Sequence, residues 1–293
     1  MDQRDSPPEK AFAALGHDTR IQIIRTLGQQ EEPQSFSDLF KVVGTQDSGQ
    51  FNYHLNQLVG KFIEQREDGR YRLSYGGVNV VGAIFAGEFE RSDALEDIPL
   101  ESWCAHCDTQ LRATYASEQV SIFCKDCGEI DTSFGFPPGG LGNRSPAELT
   151  ILFDRWIRSI FGLVTDGICH NCTGRIDSTL TDASEFLHPD EPACLEFHCE
   201  RCPEHSTLSI SSYLYLRPEL HGYYYEHGID LSEVHPWNAR LFLDPVITEV
   251  SRDPWTIEAS FRGVQSIPIS FRIDADGAVT YLNPDQSDTG LAS

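Results

Sequence analysis

The chain has 293 residues, 40% of them apolar, and a mean hydropathy of -0.33, which predicts a globular protein of two domains or three small ones. No apolar run reaches the roughly 18 residues of a membrane span, and the opening MDQRDSPPEK is too polar and acidic for a signal peptide, so a cytoplasmic protein with no membrane partner is expected. The formal net charge of -23 sits awkwardly with a polyanionic partner, but only four of the 22 basic residues are Lys, and an acidic, Lys-poor surface is the halophilic pattern that concentrated salt screens.

Residues 9–28, EKAFAALGHDTRIQIIRTLG, predict two helices broken at Gly16–His17, with Asp18 as N-cap, Ile21, Ile24 and Leu27 buried, and Gly28 as a stop. SFSDLFKVVG (35–44) predicts a short helix with a Ser35/Asp38 capping pattern and Gly44 at its end. DSGQFNYHLNQL (47–58) predicts the next, capped by Asp47, with Phe51, Leu55 and Leu58 as its apolar stripe. Its other positions are Ser48, Gln50, Asn52, Tyr53, His54, Asn56 and Gln57, a face of uncharged hydrogen-bonding groups in a very acidic chain. An ordinary surface helix would mix Glu and Lys; Gln and Asn can instead pair bidentately with adenine in a major groove. A helix, a tight turn and a polar-faced helix is the helix-turn-helix order.

FIEQREDGRYRLS (62–74) carries an Asp68–Gly69 hairpin signal. Alternation puts Tyr71 and Leu73 on one face and Arg70 and Arg72 on the other, with Arg66 across the turn, where these arginines can reach phosphates as a wing. GGVNVVGAIFAGEF (76–89) predicts a helix apolar nearly all round, which needs a partner, and a second copy of the chain is the expected one. The region from 47 to 75 holds four acids and four bases, whereas residues 96–293 hold thirty-one acids against twelve bases.

All nine cysteines lie beyond position 103, eight of them in four C-x-x-C pairs. Cys104, Cys107, Cys124 and Cys127 have sixteen residues between pairs; Cys169, Cys172, Cys199 and Cys202 have twenty-six, with Cys194 spare and His170 or His198 able to substitute for a thiolate. Four thiolates in two knuckles predict one tetrahedral Zn²⁺ per set, two per chain, and a closed site of this kind is structural rather than catalytic. A redox or metal sensor remains the alternative role for the same spacing.

GFPPGGLGN (135–143) is a Pro/Gly linker rather than a phosphate loop, and residues 146–165 predict a helix lined by Leu149, Phe153, Trp156 and Ile157. Beyond the second cysteine set, strands are expected at LSISSYLYL (208–216), WTIEASF (255–261) and IPISFRI (267–273), a helix at 217–228, and a hairpin turn at DADG (274–277). The last residues, 283–293, read as a disordered tail. The expected fold is thus α+β and multidomain: a winged helix-turn-helix with a dimerisation helix (1–95), a first zinc ribbon (96–140), a linker helix and second ribbon (141–217), and a small α+β module (218–282).

ALGHDTRIQIIRTL (14–27), YHLNQL (53–58) and DGRYRL (68–73) resemble the ArsR-type winged helix-turn-helix family, the second matching its His-Leu-x-x-Leu. The acidic whole is similar to haloarchaeal members with Cys-rich C-terminal extensions. The resemblance implies a homodimer that places two recognition helices in double-stranded DNA, a transcriptional regulator and not an enzyme. Family metal sensors use Cys on the first helix of the reading motif or His and Asp on the last dimer helix; residues 1–103 hold no Cys and 76–90 no His, so effector input or contacts with transcription machinery would fall to residues 96–282. The alternative is a basal-transcription adaptor similar to the archaeal transcription factor E alpha subunit, with a polymerase-binding surface. No Ser/His/Asp or paired-carboxylate constellation points to a hydrolase.

Overall fold

The computed structural model describes residues 7–89, 94–182, 192–262 and 269–282, and has an α+β architecture. Its strands form small antiparallel sheets: one of two strands, one of three and two of four. Two compact units divide the chain, residues 1–92 with 137–142, and residues 93–136 with 143–293. The expected tail at 283–293, like 267 and 268 of the expected last strand run, lies outside the described residues.

The first unit opens with α1 (Pro8–Ala13) and α2 (Asp18–Gly28). The cap of α2 is His17, one residue before the expected Asp18: its Nδ1 accepts from the Thr19 amide at 3.2 Å, leaving Asp18 as the first-turn acid that favours the helix dipole. Helix α3 (Phe36–Val43) is capped by Ser35 and closes on Gly44 in the left-handed conformation. In α4 (Ser48–Leu58), Asp47 Oδ1 accepts from the amides of Gly49 and Gln50 at 2.7 and 3.2 Å. Strands β1 (Ile63–Gln65) and β2 (Tyr71–Leu73) pair as Ile63↔Leu73 and Gln65↔Tyr71. Between them Arg66 N donates to Arg70 O at 2.8 Å and Gly69 takes φ +81°, a turn conformation that suits glycine. Gln34 extends this hairpin on its other edge through two backbone hydrogen bonds with Tyr71. Helix α5 (Tyr75–Phe85) follows, capped by Ser74. The core beneath these elements is Ile23, Ile24, Leu27, Leu39, Phe51, Leu55, Leu58, Ile63 and Val81.

In the second unit, β3 (Leu95–Trp103), β4 (Gln110–Ala116), β5 (Gln119–Phe123) and β6 (Asp131–Gly135) form a sheet in chain order. Helix α6 (Pro146–Thr165) lies against it, with a Ser145/Glu148 capping box at its start. Phe153 meets Phe134 and Phe136 edge-on, and Trp156 Nε1 donates to Gly135 O at 2.8 Å. Strands β7 (Ile176–Asp182), β8 (Ala193–Cys199) and β9 (His205–Ser209) form a three-stranded sheet.

LSISSYLYL (208–216), expected as a strand, changes type inside itself: β9 ends at Ser209 and α7 (Ile210–Tyr215) begins. The reason is capping chemistry, for Ser209 Oγ accepts from the Ser212 amide at 3.1 Å, and the segment is apolar enough to be buried on most sides. Helices α8 (Pro218–Glu226) and α9 (Ala239–Leu243) lead to a sheet of β10 (Val246–Arg252), β11 (Trp255–Phe261), β12 (Ile269–Asp274) and β13 (Val279–Leu282). DADG makes the β12–β13 turn, with Gly277 N donating to Asp274 O at 2.9 Å. One buried cluster runs from Val164 through Leu195, Phe197, Tyr213 and Leu220 to Phe271 and Ile273, so the segments expected as a second ribbon and a C-terminal module share a core. No helix among the described residues is long and apolar enough to cross a membrane.

Candidate functional site

Helix α4 buries Phe51, Leu55 and Leu58 and leaves Ser48, Gln50, Asn52, Tyr53 and Asn56 exposed, with Gln57 half-buried. The helix contains no Asp, Glu, Arg or Lys, so its outer surface offers only neutral donors and acceptors. His54 does not belong to that surface. It is 4% exposed, tilted against the His17 ring at 4.0 Å, and neither ring nitrogen finds a hydrogen-bond partner. Position 54 follows Leu55 and Phe51 around the helix closely enough to be drawn into the core. Burial, with the positive charge of Arg20 and the neighbouring His17, holds its pKa below the ordinary value.

The hairpin arginines are exposed, but two have acidic partners. Arg72 reaches Glu64 at 2.8 Å and Arg70 lies 4.0 Å from Asp68, while Arg66 is exposed at the strand end. Exposed pairs of this kind contribute about 0–1 kcal/mol, so exchanging the carboxylate for another anion costs little. On α5 the outward positions Tyr75, Val78, Phe85 and, beyond the helix end, Phe89 are 82%, 51%, 43% and 75% exposed. Within the helix, Tyr75, Val78, Gly82 and Phe85 are spaced three and four apart, one continuous stripe without charge.

Each cysteine set expected from spacing is assembled in space. Cys104 Sγ lies 3.6 Å from Cys127 Sγ and Cys107 Sγ 3.5 Å from Cys124 Sγ; in the second set the 169–202 and 172–199 distances are 3.6 and 3.5 Å. A metal–thiolate bond of about 2.3 Å gives a tetrahedron with edges of about 3.8 Å, which the observed spacings approach. All nine cysteines are free thiols, so the two four-cysteine groups could hold two metal ions. The knuckles are made by backbone: Asp108 N donates to Cys104 O at 2.9 Å, Gly128 N to Cys124 O at 3.1 Å, and Thr173 N to Cys169 O at 2.9 Å. Gly174 keeps the knuckle uncrowded, since a Cβ there would stand 3.1 and 3.2 Å from the sulfurs of Cys172 and Cys199.

The thiols within each set differ. The Thr109 hydroxyl and amide hold Cys107 down at about 6, and the Arg201 amide, 3.3 Å from Cys199 Sγ, holds Cys199 at about 7. Burial pushes Cys127 up to about 12. At Cys202 the Glu204 amide favours the thiolate, but burial and the neighbouring thiols outweigh it, and the group also sits at about 12. A cation binding in either set displaces the protons its thiols still carry, so binding there falls as the pH falls.

Residues far away in sequence position the first knuckle. Trp237 Nε1 donates to Ser102 Oγ at 3.0 Å, Asn238 Nδ2 to Trp103 O at 2.9 Å, and Ala105 N to Asn238 Oδ1 at 3.1 Å. Nothing local in 236–238 announces that role. Cys194 belongs to neither group: it is buried on β8 with its sulfur 3.2 Å from Thr181 Oγ1.

A family model described as a domain of unknown function (DUF7351) matches residues 101–279. The chain belongs to the DUF7351 family. The DUF7351 region takes in both four-cysteine groups and the clamp at 237–238, whereas a second model, also a domain of unknown function (DUF7347), matches residues 8–84 and so takes in α1 to α4 and most of α5. No curated protein and no solved structure matches the chain significantly.

Proposed function

We propose that this DUF7351 protein is a homodimeric, sequence-specific DNA-binding transcriptional regulator, with α3 and α4 as a helix-turn-helix, the β1–β2 hairpin as its wing, and an ArsR-like arrangement of the whole. The observation that carries the reading is the exposed face of α4. Ser48, Gln50, Asn52, Tyr53 and Asn56 stand on it without a single charge, in a chain of net charge -23. Neutral amide side chains can satisfy base edges in a major groove. Arg66, Arg70 and Arg72 flank them on the hairpin and supply backbone contacts, and Gln57 lies at the margin. His54 supports the helix from the core side.

The exposed stripe of Tyr75, Val78 and Phe85, with exposed Phe89 just beyond the helix, supports a second copy as its cover, because several large apolar side chains left in water together cost more than a single scattered one. For the two four-cysteine groups the favoured ion is Zn²⁺: four thiolates at tetrahedral spacing leave no open position, so the ion's role is structural, and elemental analysis should return two zinc per chain. Residues 96–282 then provide effector input or contacts with transcription machinery.

Mapping chromosomal occupancy tests the reading. Binding at a limited set of promoters sharing an inverted-repeat motif is the expected result; occupancy of every active promoter would point to a basal adaptor and sink it.

A further inference from the structure

The outer face of the β7–β8–β9 sheet carries a constellation that neither four-cysteine group uses. His198 on β8 and His205 on β9 are paired across the strands, their rings 4.7 Å apart, and Glu196 lies two residues before His198 on the same face. His198 Nε2 is 3.4 Å from Glu196 Oε2, and one ligand atom of each of the three lies within 4.8 Å of the others. Both histidines are exposed and Glu196 is half-buried. From these residues we infer a third metal site: Glu196, His198 and His205 bind a divalent first-row transition ion, one that is exchangeable and coordinatively open.

The chemistry of the donors fixes the class of ion. Two imidazoles and one carboxylate suit Ni²⁺, Cu²⁺, Zn²⁺ or Fe²⁺, whereas Mg²⁺ and Ca²⁺ prefer all-oxygen shells. With metal–ligand bonds of about 2.0–2.2 Å, adjacent ligand atoms stand about 3.0 Å apart in an octahedron and about 3.4 Å in a tetrahedron. The Glu196–His198 distance is already at the second value. His205 must close the remaining gap, and as an exposed side chain it has rotamer freedom to do so.

A bland reading is also available, a surface His–Glu ion pair beside a second imidazole. That reading accounts for two of the three groups; it leaves unexplained why the cross-strand partner of His198 is another histidine. Three protein ligands leave at least one position to solvent, in contrast to the closed four-cysteine groups, so the ion here exchanges more readily. Its placement also matters, since β8 and β9 are the strands that lead into and out of the Cys199–Cys202 knuckle. An ion on His198 and His205 therefore ties the two sides of that knuckle together. The inference stands apart from the DNA-binding reading and would survive its failure.

The test is calorimetric titration of the full chain, as purified and with its resident metal quantified, with Ni²⁺, alongside His205→Ala and Glu196→Gln. The expected result is one Ni²⁺ per chain beyond the resident metal, which is retained. His205→Ala should weaken that binding at least about tenfold, because even the loss of a group that only orients a ligand costs about 10–100-fold. Both variants should keep the parent's resident metal, which shows that the four-cysteine groups and the fold around them are intact. No Ni²⁺ beyond exchange with the resident metal, or unchanged affinity in His205→Ala, overturns the proposal.

Discussion

His54 shows how far the chemistry of a side chain depends on the face it occupies. In the sequence it stands among polar groups, between Tyr53 and Leu55; in the fold it is buried against His17 with two unpartnered ring nitrogens. Its folded pKa lies below the ordinary value, so below about pH 6.5 the unfolded chain takes up a proton that the folded chain resists. Stability from this residue is therefore fully present above that pH and lost as the pH falls. His54→Leu removes the titration and the unsatisfied nitrogens together, and an unsatisfied buried polar group costs about 1–3 kcal/mol. Comparing urea unfolding of the parent and His54→Leu, the variant should gain on the parent between pH 7.5 and 5; a difference that stays flat would show that His54 is solvated in the folded state. The comparison as a difference cancels the acid sensitivity of the thiol groups.

At the scale of the element, α4 has one buried face and one exposed face, and substitutions should separate them. Leu55 is fully buried, so Leu55→Ala should cost about 2–5 kcal/mol of stability. Asn52→Ala, on the exposed face, should stay within about 0.5 kcal/mol of the parent in the same unfolding measurement. A large loss from Asn52→Ala would mean that this face is packed and not available to a ligand. Sequence periodicity placed the apolar stripe of α4 and the span of α6, and the Asp47 cap and Asp68–Gly69 turn are equally local signals, but it put His54 on the wrong face. The Cys pairs were legible for another reason: each C-x-x-C already fixes one knuckle, and only the pairing of knuckles is long-range.

What was not legible depends on register. The meeting of His198 with His205 turns on the β8–β9 register, and the switch from β9 to α7 on a Ser209 cap inside an apolar run that reads equally well as a strand. The hold of Asn238 on the first knuckle spans 133 residues of sequence, so no local window contains it. The same applies to Asp154. It is buried on α6 and hydrogen-bonded by Arg158 at 2.7 Å and paired with His235 at 3.0 Å, while Arg158 also donates to the carbonyls of Ser232 and Val234. That network ties α6 to the segment before α9, which is one reason the expected modules share a single unit.

At the scale of the molecule, the charge and the α4 surface form one argument. Most of the acid lies beyond residue 95, and the segment from 47 to 75 is neutral. In molar salt the counterion-release gain that usually dominates protein–DNA affinity is small, so the proposed DNA recognition would rest on neutral hydrogen bonding. The most direct test is selection of double-stranded DNA from a random pool by the purified full-length protein in molar salt, followed by binding of the winning sequence to Asn52→Ala. The account predicts an enriched inverted repeat with half-sites about one helical turn apart, and a loss of about 1–3 kcal/mol, roughly 5- to 150-fold, for the variant. A pool that emerges with no enriched motif, or an Asn52→Ala protein that binds the selected DNA as tightly as the parent, would contradict it.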